Sequence, residues 1–273
     1  MKVRRIAGAL GAEISGVDLS VSLSERELRE IRRAWLEHLV VFFRDQDLTL
    51  EQYFSFSRQI GEPVEYPLVK GLEGYPKIIE VKKLEHERQA FGAIWHSDTA
   101  YLERPPMASM LLAREVPPRG GDTLFANMYL AFEGLSPGLQ SLLSSLKAVN
   151  SSTKADASRT REDVLKHSGR DDRTEFTAEH PVVRTHPETG RKALYVNPGH
   201  TVRFAGWSEE ESAPLLNFLF QIQTRPELTC RFRWEPGSLA LWDNRCAQHN
   251  PVNDYHGYRR VMHRITLQGD VPA

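Results

Sequence analysis

The chain has 273 residues, and 35 Lys and Arg against 36 Asp and Glu leave a formal net charge of −1. That balance gives no global reason to bind nucleic acid or an anionic membrane surface, so any charged ligand must be met by a local cluster. Two cysteines, Cys230 and Cys246, are too few for a disulfide framework, the apolar start is broken by Glu13 too soon for a signal peptide, and runs such as Leu39 to Phe43 have strand length. The expectation is a cytoplasmic globular protein with a small-molecule partner, no nucleic acid and no membrane.

Ser24 with Glu27 forms a capping box ahead of Leu28, Ile31, Trp35 and Leu39, predicting an amphipathic helix over about 25–38. The apolar run LVVFF follows, then a second capping box, Thr49 with Gln52, opens a helix that stops at Gly61. From about residue 77 the apolar runs are short and β-rich: KIIEV, AIWHSD, ASMLLA, TLFA, ALYV, CRFRW, SLALWD and RVMHRITL. Many short strands with turns predict an antiparallel sandwich or barrel, and the regular strand–helix alternation of a doubly wound sheet is absent. Helical interruptions at about 128–146, broken by Ser136-Pro137-Gly138, and at about 209–222, capped by Ser208 with Glu211, read as decorations outside a β core. Residues 151–177 are too polar to bury much and read as either a lid over a site or a disordered surface loop.

The sharpest local feature is Trp95-His96-Ser97-Asp98. On a strand, residues i and i+2 share a face, so His96 and Asp98 would present an imidazole and a carboxylate side by side to a cation. A second His completes the two-His, one-carboxylate set that non-haem Fe(II) oxygenases use with open positions left on the metal. His249, in the turn region WDNRCAQHNP after an apolar strand, is the best-placed candidate. His180 and His186 flank a PETG turn and read as surface residues, as do His86 and His167 in charged surroundings, while His38 sits in the first helix. Arg260 and Arg264, four apart on one strand, project to one face and need anions, either structural carboxylates or a dicarboxylate or sulfonate ligand. Thr123 follows the flexible Gly120-Gly121 turn as a hydroxyl donor. Asp243 and Asn244 lie near His249 as residues that could orient it, and Cys246 reads as a small buried residue.

Together WHSDTAYLERPP, GGDTLFAN and WDNRCAQHNPVNDYHGYRRVMHRITLQGD resemble the signature stretches of the taurine dioxygenase (TauD/TfdA) family of Fe(II)- and 2-oxoglutarate-dependent oxygenases, and the likeness runs over nearly the whole chain. The resemblance implies a single domain over 1–273 with the double-stranded β-helix, a cupin-like jelly roll. It implies His96, Asp98 and His249 as iron ligands, with Thr123 and Arg260 on the distal carboxylate of 2-oxoglutarate. Arg264 matches the family's second arginine, near both cosubstrate and substrate, and favours an anionic substrate. The cofactor set implied is Fe(II), 2-oxoglutarate and O2, and the expected assembly is a homo-oligomer, dimer or tetramer.

The departures concern the substrate. Tyr66-Pro67-Leu68-Val69 stands where taurine dioxygenases carry a sulfonate-binding His and its companion Tyr, Gly92 replaces an Asn, and His200 replaces a pocket Phe. Taurine is therefore disfavoured, and the expected substrate is a bulkier sulfonate, sulfate ester, aryloxyalkanoate or other carboxylate contacted by Tyr66, Gly92, His200 and Arg264. Rival readings are a cupin-like metal hydrolase or isomerase and a non-catalytic ligand-binding jelly roll. A dicarboxylate clamp has no use in the hydrolase, and a complete metal triad has none in the binding protein.

Overall fold

A computed structural model describes residues 1–67, 69–154 and 175–273; most of the polar stretch 151–177, and His167 with it, lies outside the described residues. Both predicted N-terminal helices form. Helix α1 (Glu25–His38) starts at the reciprocal Ser24/Glu27 box and stops at Leu39, whose φ of 64° leaves helical space. Helix α2 (Leu50–Ile60) starts at the Thr49/Gln52 box and ends at Gly61.

The described residues form sixteen strands: β1 (Lys2–Arg5), β2 (Ala12–Ser15), β3 (Val40–Phe43), β4 (Pro63–Val64), β5 (Ile79–Lys83), β6 (Ala108–Glu115), β7 (Thr123–Asn127), β8 (Lys147–Ser151), β9 (Thr177–Pro181), β10 (Val183–Thr185), β11 (Lys192–Leu194), β12 (Thr201–Phe204), β13 (Thr229–Phe232), β14 (Leu239–Asp243), β15 (Ala247–Pro251) and β16 (Arg260–Leu267). Eight of them make the large sheet, in the order β1-β2-β3-β14-β6-β16-β4 with β5 also on β16, and β13-β7-β15 make a smaller one.

Period-two alternation decides which core each side chain joins. Val41, Phe43, Met110, Leu112, Leu239, Leu241 and Ile265 point to one side, where Ile31 and Trp35 of α1 and Tyr53 and Phe56 of α2 cover them. Their neighbours Val40, Phe42, Leu111, Ala113, Ala240, Trp242 and Met262 point to the other side, toward Phe125 and Phe232 of the smaller sheet. Phe42 stacks on Phe232 with ring centres 3.9 Å apart, and Phe125 meets Phe42 edge-on at 5.6 Å. Two sheets, antiparallel throughout except where β2 runs parallel to β3, closed over an apolar interior make the expected jelly roll.

The helical interruption at 128–146 is two helices, α3 (Met128–Glu133) and α4 (Pro137–Ser144), and α5 (Glu209–Gln223) follows its capping box. Two expectations fail. AIWHSD is not a strand, because only His96 pairs, in a single bridge with His249, and Asp98 already begins a turn that carries Thr99 at φ 41°. His249 in turn lies inside β15, paired with Phe125 of β7, and not in a turn after β14. No helix among the described residues is long and apolar enough to cross a membrane.

Candidate active site

His96 and His249 are locked to each other by backbone: each accepts the other's amide at its carbonyl, at 3.0 and 2.9 Å. The His96 Nδ1–H donates to the Ile94 carbonyl at 2.7 Å, which assigns the proton to Nδ1 and leaves the Nε2 lone pair free. That Nε2 lies 3.5 Å from Asp98 Oδ1, and His249 Nε2 lies 3.7 Å from the same oxygen. The ligand atoms of His96, Asp98 and His249 all lie within 4.8 Å of one another, with all three residues buried.

The other Asp98 oxygen is occupied. Ser109 Oγ donates to Oδ2 at 2.5 Å and Arg264 Nη2 meets it at 2.5 Å, so only Oδ1 faces the two imidazoles. Asn244 steadies this arrangement: its Oδ1 accepts from the Asp98 amide at 3.3 Å and from Trp242 Nε1 at 3.0 Å, while its Nδ2 donates to Ser109 Oγ at 3.1 Å. Asn244 therefore orients Asp98 rather than His249, whose Nδ1 has no partner. Burial works against the Asp98 charge, but Arg264, then His249 and His96, hold its carboxyl well below the usual range. Burial and the neighbouring His96 push the His249 imidazole well down, which keeps it neutral. One carboxylate and two imidazoles converging in a buried corner fit a divalent transition metal with positions left open.

At the other end of the same pocket lie Thr123 and Arg260, with Val81, Phe91, Gly92, Leu111, Phe125, Trp234, Trp242, Pro251 and Arg264 completing the lining. The Thr123 hydroxyl accepts from Trp234 Nε1 at 2.9 Å, so its own proton remains available to a ligand. Arg260 is 5% exposed, yet its Nε and Nη2 have no hydrogen-bond partner among the described residues. A buried guanidinium with unfilled donors, next to a free hydroxyl proton, fits the carboxylate end of a dicarboxylic acid.

Of the predicted substrate residues, Gly92 and Arg264 line this pocket, while Tyr66 and His200 pack against residues that line it. Tyr66 stacks under the Arg264 guanidinium at 5.2 Å. Gly92, at φ 69°, backs onto the first imidazole: a Cβ there would sit 3.1 Å from His96 Cε1. Gly92 thus gives the His96 ring its clearance, in a left-handed conformation that glycine adopts freely. His200 packs edge-on against His96 at 5.8 Å and Tyr101 at 4.9 Å, and burial, followed by His96, pushes its pKa down to about 3, so it is neutral where it meets the His96 ring.

Two histidines read from sequence as surface residues are buried. His180 Nε2–H donates to the Leu102 carbonyl at 2.9 Å, and His186 Nε2 sits 3.0 Å from Asp243 Oδ2. The PETG turn between β10 and β11 is exposed, but His186 just before it points inward, and His180 lies earlier, in β9 opposite Ala148 of β8. His186, Asp243 and Cys246 form a second cluster of metal-type donors. Its carboxylate is already filled by the Arg245 fork at 2.8 and 2.6 Å, and burial pushes the Cys246 thiol well up, so it is an ion-pair network and Cys246 is the buried residue expected. Ser109 and Trp234 were missed at the sequence level. Their only signal was a lone hydroxyl in the apolar run ASMLLA and an indole next to a turn.

The fold and the cluster are those of a jelly-roll dioxygenase. Residues 2–266 match the family model described as "Taurine catabolism dioxygenase TauD, TfdA family", and the chain belongs to that family. It is 37% identical to an alpha-ketoglutarate-dependent sulfate ester dioxygenase of Pseudomonas putida, over 100% of this chain and 91% of that protein. It is likewise 37% identical to an alkylsulfatase of Acinetobacter baylyi, over 99% of this chain and 86% of that protein. Among solved structures, a taurine dioxygenase from Burkholderia xenovorans superposes with a TM-score of 0.85 at 37% identity, covering 100% of this chain and 90% of the other.

Proposed function

We propose that this chain, as one dioxygenase domain, hydroxylates a C–H bond of a small anionic substrate, with a sulfate ester of an alkyl alcohol as the first choice. The observation that carries this reading is the pairing, in one buried pocket, of the His96–Asp98–His249 cluster with the unfilled Arg260 guanidinium. His96, Asp98 and His249 hold Fe(II), and Arg260 with Thr123 holds the distal carboxylate of 2-oxoglutarate. Bound iron supplies, with 2-oxoglutarate and O2, the oxidation that releases succinate and CO2 and places one oxygen atom in the substrate C–H bond.

The chain's own residues position and shield. Ser109 and Arg264 hold Asp98 Oδ2, so the carboxylate offers a single oxygen to the metal and cannot swing to a chelating pose. Arg260 fixes the far end of the dicarboxylic acid, which sets where its near end falls. Leu111, Phe125, Trp242 and Pro251 exclude water from that space. The substrate anion meets Arg264, whose Nε has no partner while Nη2 braces Asp98, and His200 adds a neutral hydrogen-bonding edge. Hydroxylation of the carbon that carries the ester oxygen gives a product with two oxygens on one carbon, which collapses to an aldehyde and inorganic sulfate. The sulfate-ester and alkylsulfatase names of two relatives, together with loss of the sulfonate-binding His at Tyr66, support this choice over taurine.

Succinate release, measured across medium-chain alkyl sulfates, alkylsulfonates, aryloxyalkanoates and taurine, tests it. The alkyl sulfates are expected to exceed taurine by at least about tenfold in rate, a difference near 1.4 kcal/mol in barrier. A neutral substrate outpacing all the anions overturns the role given to Arg264.

A further inference from the structure

Lys83 ends β5 directly opposite Arg260 of β16. Directly opposed residues of an antiparallel pair share a face, with Cβ atoms about 4.5–5.5 Å apart, so Lys83 projects to the side on which Arg260 lines the pocket. Val81, two residues earlier on the same strand face, lines that pocket as well. Lys83 is 3% exposed and its Nζ has no hydrogen-bond partner among the described residues; the ammonium rests 4.6 Å from the centre of the Tyr255 ring.

Neither Lys83 nor Arg260 forms an ion pair among the described residues. Two acids of this region are committed elsewhere: Asp122 pairs with Arg231 at 2.6 Å, and Asp254 accepts the Gly121 amide at 2.8 Å and faces Arg231 at 3.6 Å. Two like charges directly opposed on a sheet repel each other, and burying them without an anion adds a desolvation cost. A ligand anion resolves both problems at once. We propose that Lys83 is a second cationic contact for the distal carboxylate of 2-oxoglutarate, beside Arg260 and Thr123. Resting on the reading of Arg260 given above, this deepens it: the site recognises a dicarboxylic 2-oxo acid through a fork and a point charge together, and rejects a 2-oxo acid that lacks the far carboxylate.

Lys83→Met keeps the length of the side chain and removes its charge. Dissociation constants for 2-oxoglutarate and for 2-oxobutyrate, which has no distal carboxylate, are measured by anaerobic titration of the Fe(II)-loaded protein. Melting temperatures of the metal-free protein are taken alongside. The 2-oxoglutarate constant is expected to rise about tenfold in Lys83→Met and to stay within about threefold of wild type in Lys83→Arg, with 2-oxobutyrate unchanged in both. Relief of the Lys83–Arg260 repulsion is expected to raise the ligand-free melting temperature of Lys83→Met, while the further rise on adding 2-oxoglutarate shrinks. The proposal is overturned if Lys83→Met binds 2-oxoglutarate as wild type does while Arg260→Met binds it weakly, an outcome that leaves the cosubstrate reading standing. Equal weakening toward both acids also overturns it, as general damage to the site. If Arg260→Met too leaves 2-oxoglutarate binding unchanged, both the proposal and the reading beneath it fail.

Discussion

Asp98→Ala is expected to abolish Fe(II) binding and turnover and, in addition, to unfold at a markedly lower temperature than the wild type. The catalytic loss follows from removing the one anionic donor of the cluster. Removing groups that merely orient a metal ligand costs 10- to 100-fold, so loss of the ligand itself is expected to exceed about a hundredfold in metal affinity. The stability loss has a separate cause. Arg264 is 4% exposed and its contact with Asp98 is its only ion pair among the described residues. Burial works against the Arg264 charge and Asp98 more than offsets it. Deleting the carboxylate strands a buried guanidinium, at a cost of about 3–5 kcal/mol, or roughly 10 °C in melting temperature for a chain of this size. A double-variant cycle separates the two effects. Asp98→Ala/Arg264→Ala should be more stable than the sum of the single changes by about 1–3 kcal/mol while binding no metal. Strict additivity in metal-free protein would show that Arg264 does not depend on Asp98.

Asp243→Asn is expected to cost about 3–5 kcal/mol at neutral pH although it lies outside the pocket. Asp243 is 1% exposed and takes the Arg245 fork on one side and His186 Nε2 on the other, while Arg245 reaches on to Glu188 at 2.7 Å. Burial pushes its carboxyl up, but Arg245 and then His186 outweigh this and leave it far below the ordinary value of 3.8. A carboxyl depressed in the folded state stabilises the fold in full above its unfolded pKa, and that contribution drains away as pH falls below about 4 toward the folded value. The stability gap between wild type and Asp243→Asn, from denaturant titrations of the metal-free proteins, should therefore be wide at pH 7 and narrow steadily below pH 4. A gap that does not change with pH would mean that the network contributes shape and no charge. Because Asn244 adjoins Asp243 and clamps the Asp98 amide, the variant should also bind metal more weakly.

The helices were legible because their signals are local. Capping boxes at Ser24, Thr49 and Ser208 fix three starts within a few residues, and a Pro after Ser136 splits the fourth helical stretch. The strands were legible from short apolar runs, and motifs in order along the chain singled out His96, Asp98, His249, Thr123 and Arg260, which the fold brings together. What the chain did not disclose is relational. Whether His186 is wet or dry depends on Asp243 arriving from β14, more than fifty positions later. Asn244 was assigned to His249 by nearness in sequence, whereas the turn that starts at Asp98 brings that residue's amide to it instead. The strand geometry expected to align His96 and Asp98 is absent. A single bridge to His249 and a turn perform the alignment, a pattern that periodicity does not report. Lys83 gave no signal in a run of charges, KKLEHER, until β5 was placed against β16 and set it opposite Arg260.

The most direct test of the account is the stoichiometry of a single reaction with an alkyl sulfate. The protein is loaded with Fe(II) and supplied with 2-oxoglutarate and O2, and succinate and sulfate are counted together. One succinate is expected for each sulfate released, with no sulfate when either Fe(II) or 2-oxoglutarate is left out and neither product from His96→Ala. Sulfate released without 2-oxoglutarate, with Zn(II) in place of Fe(II), would contradict it and make the same cluster the centre of a hydrolase.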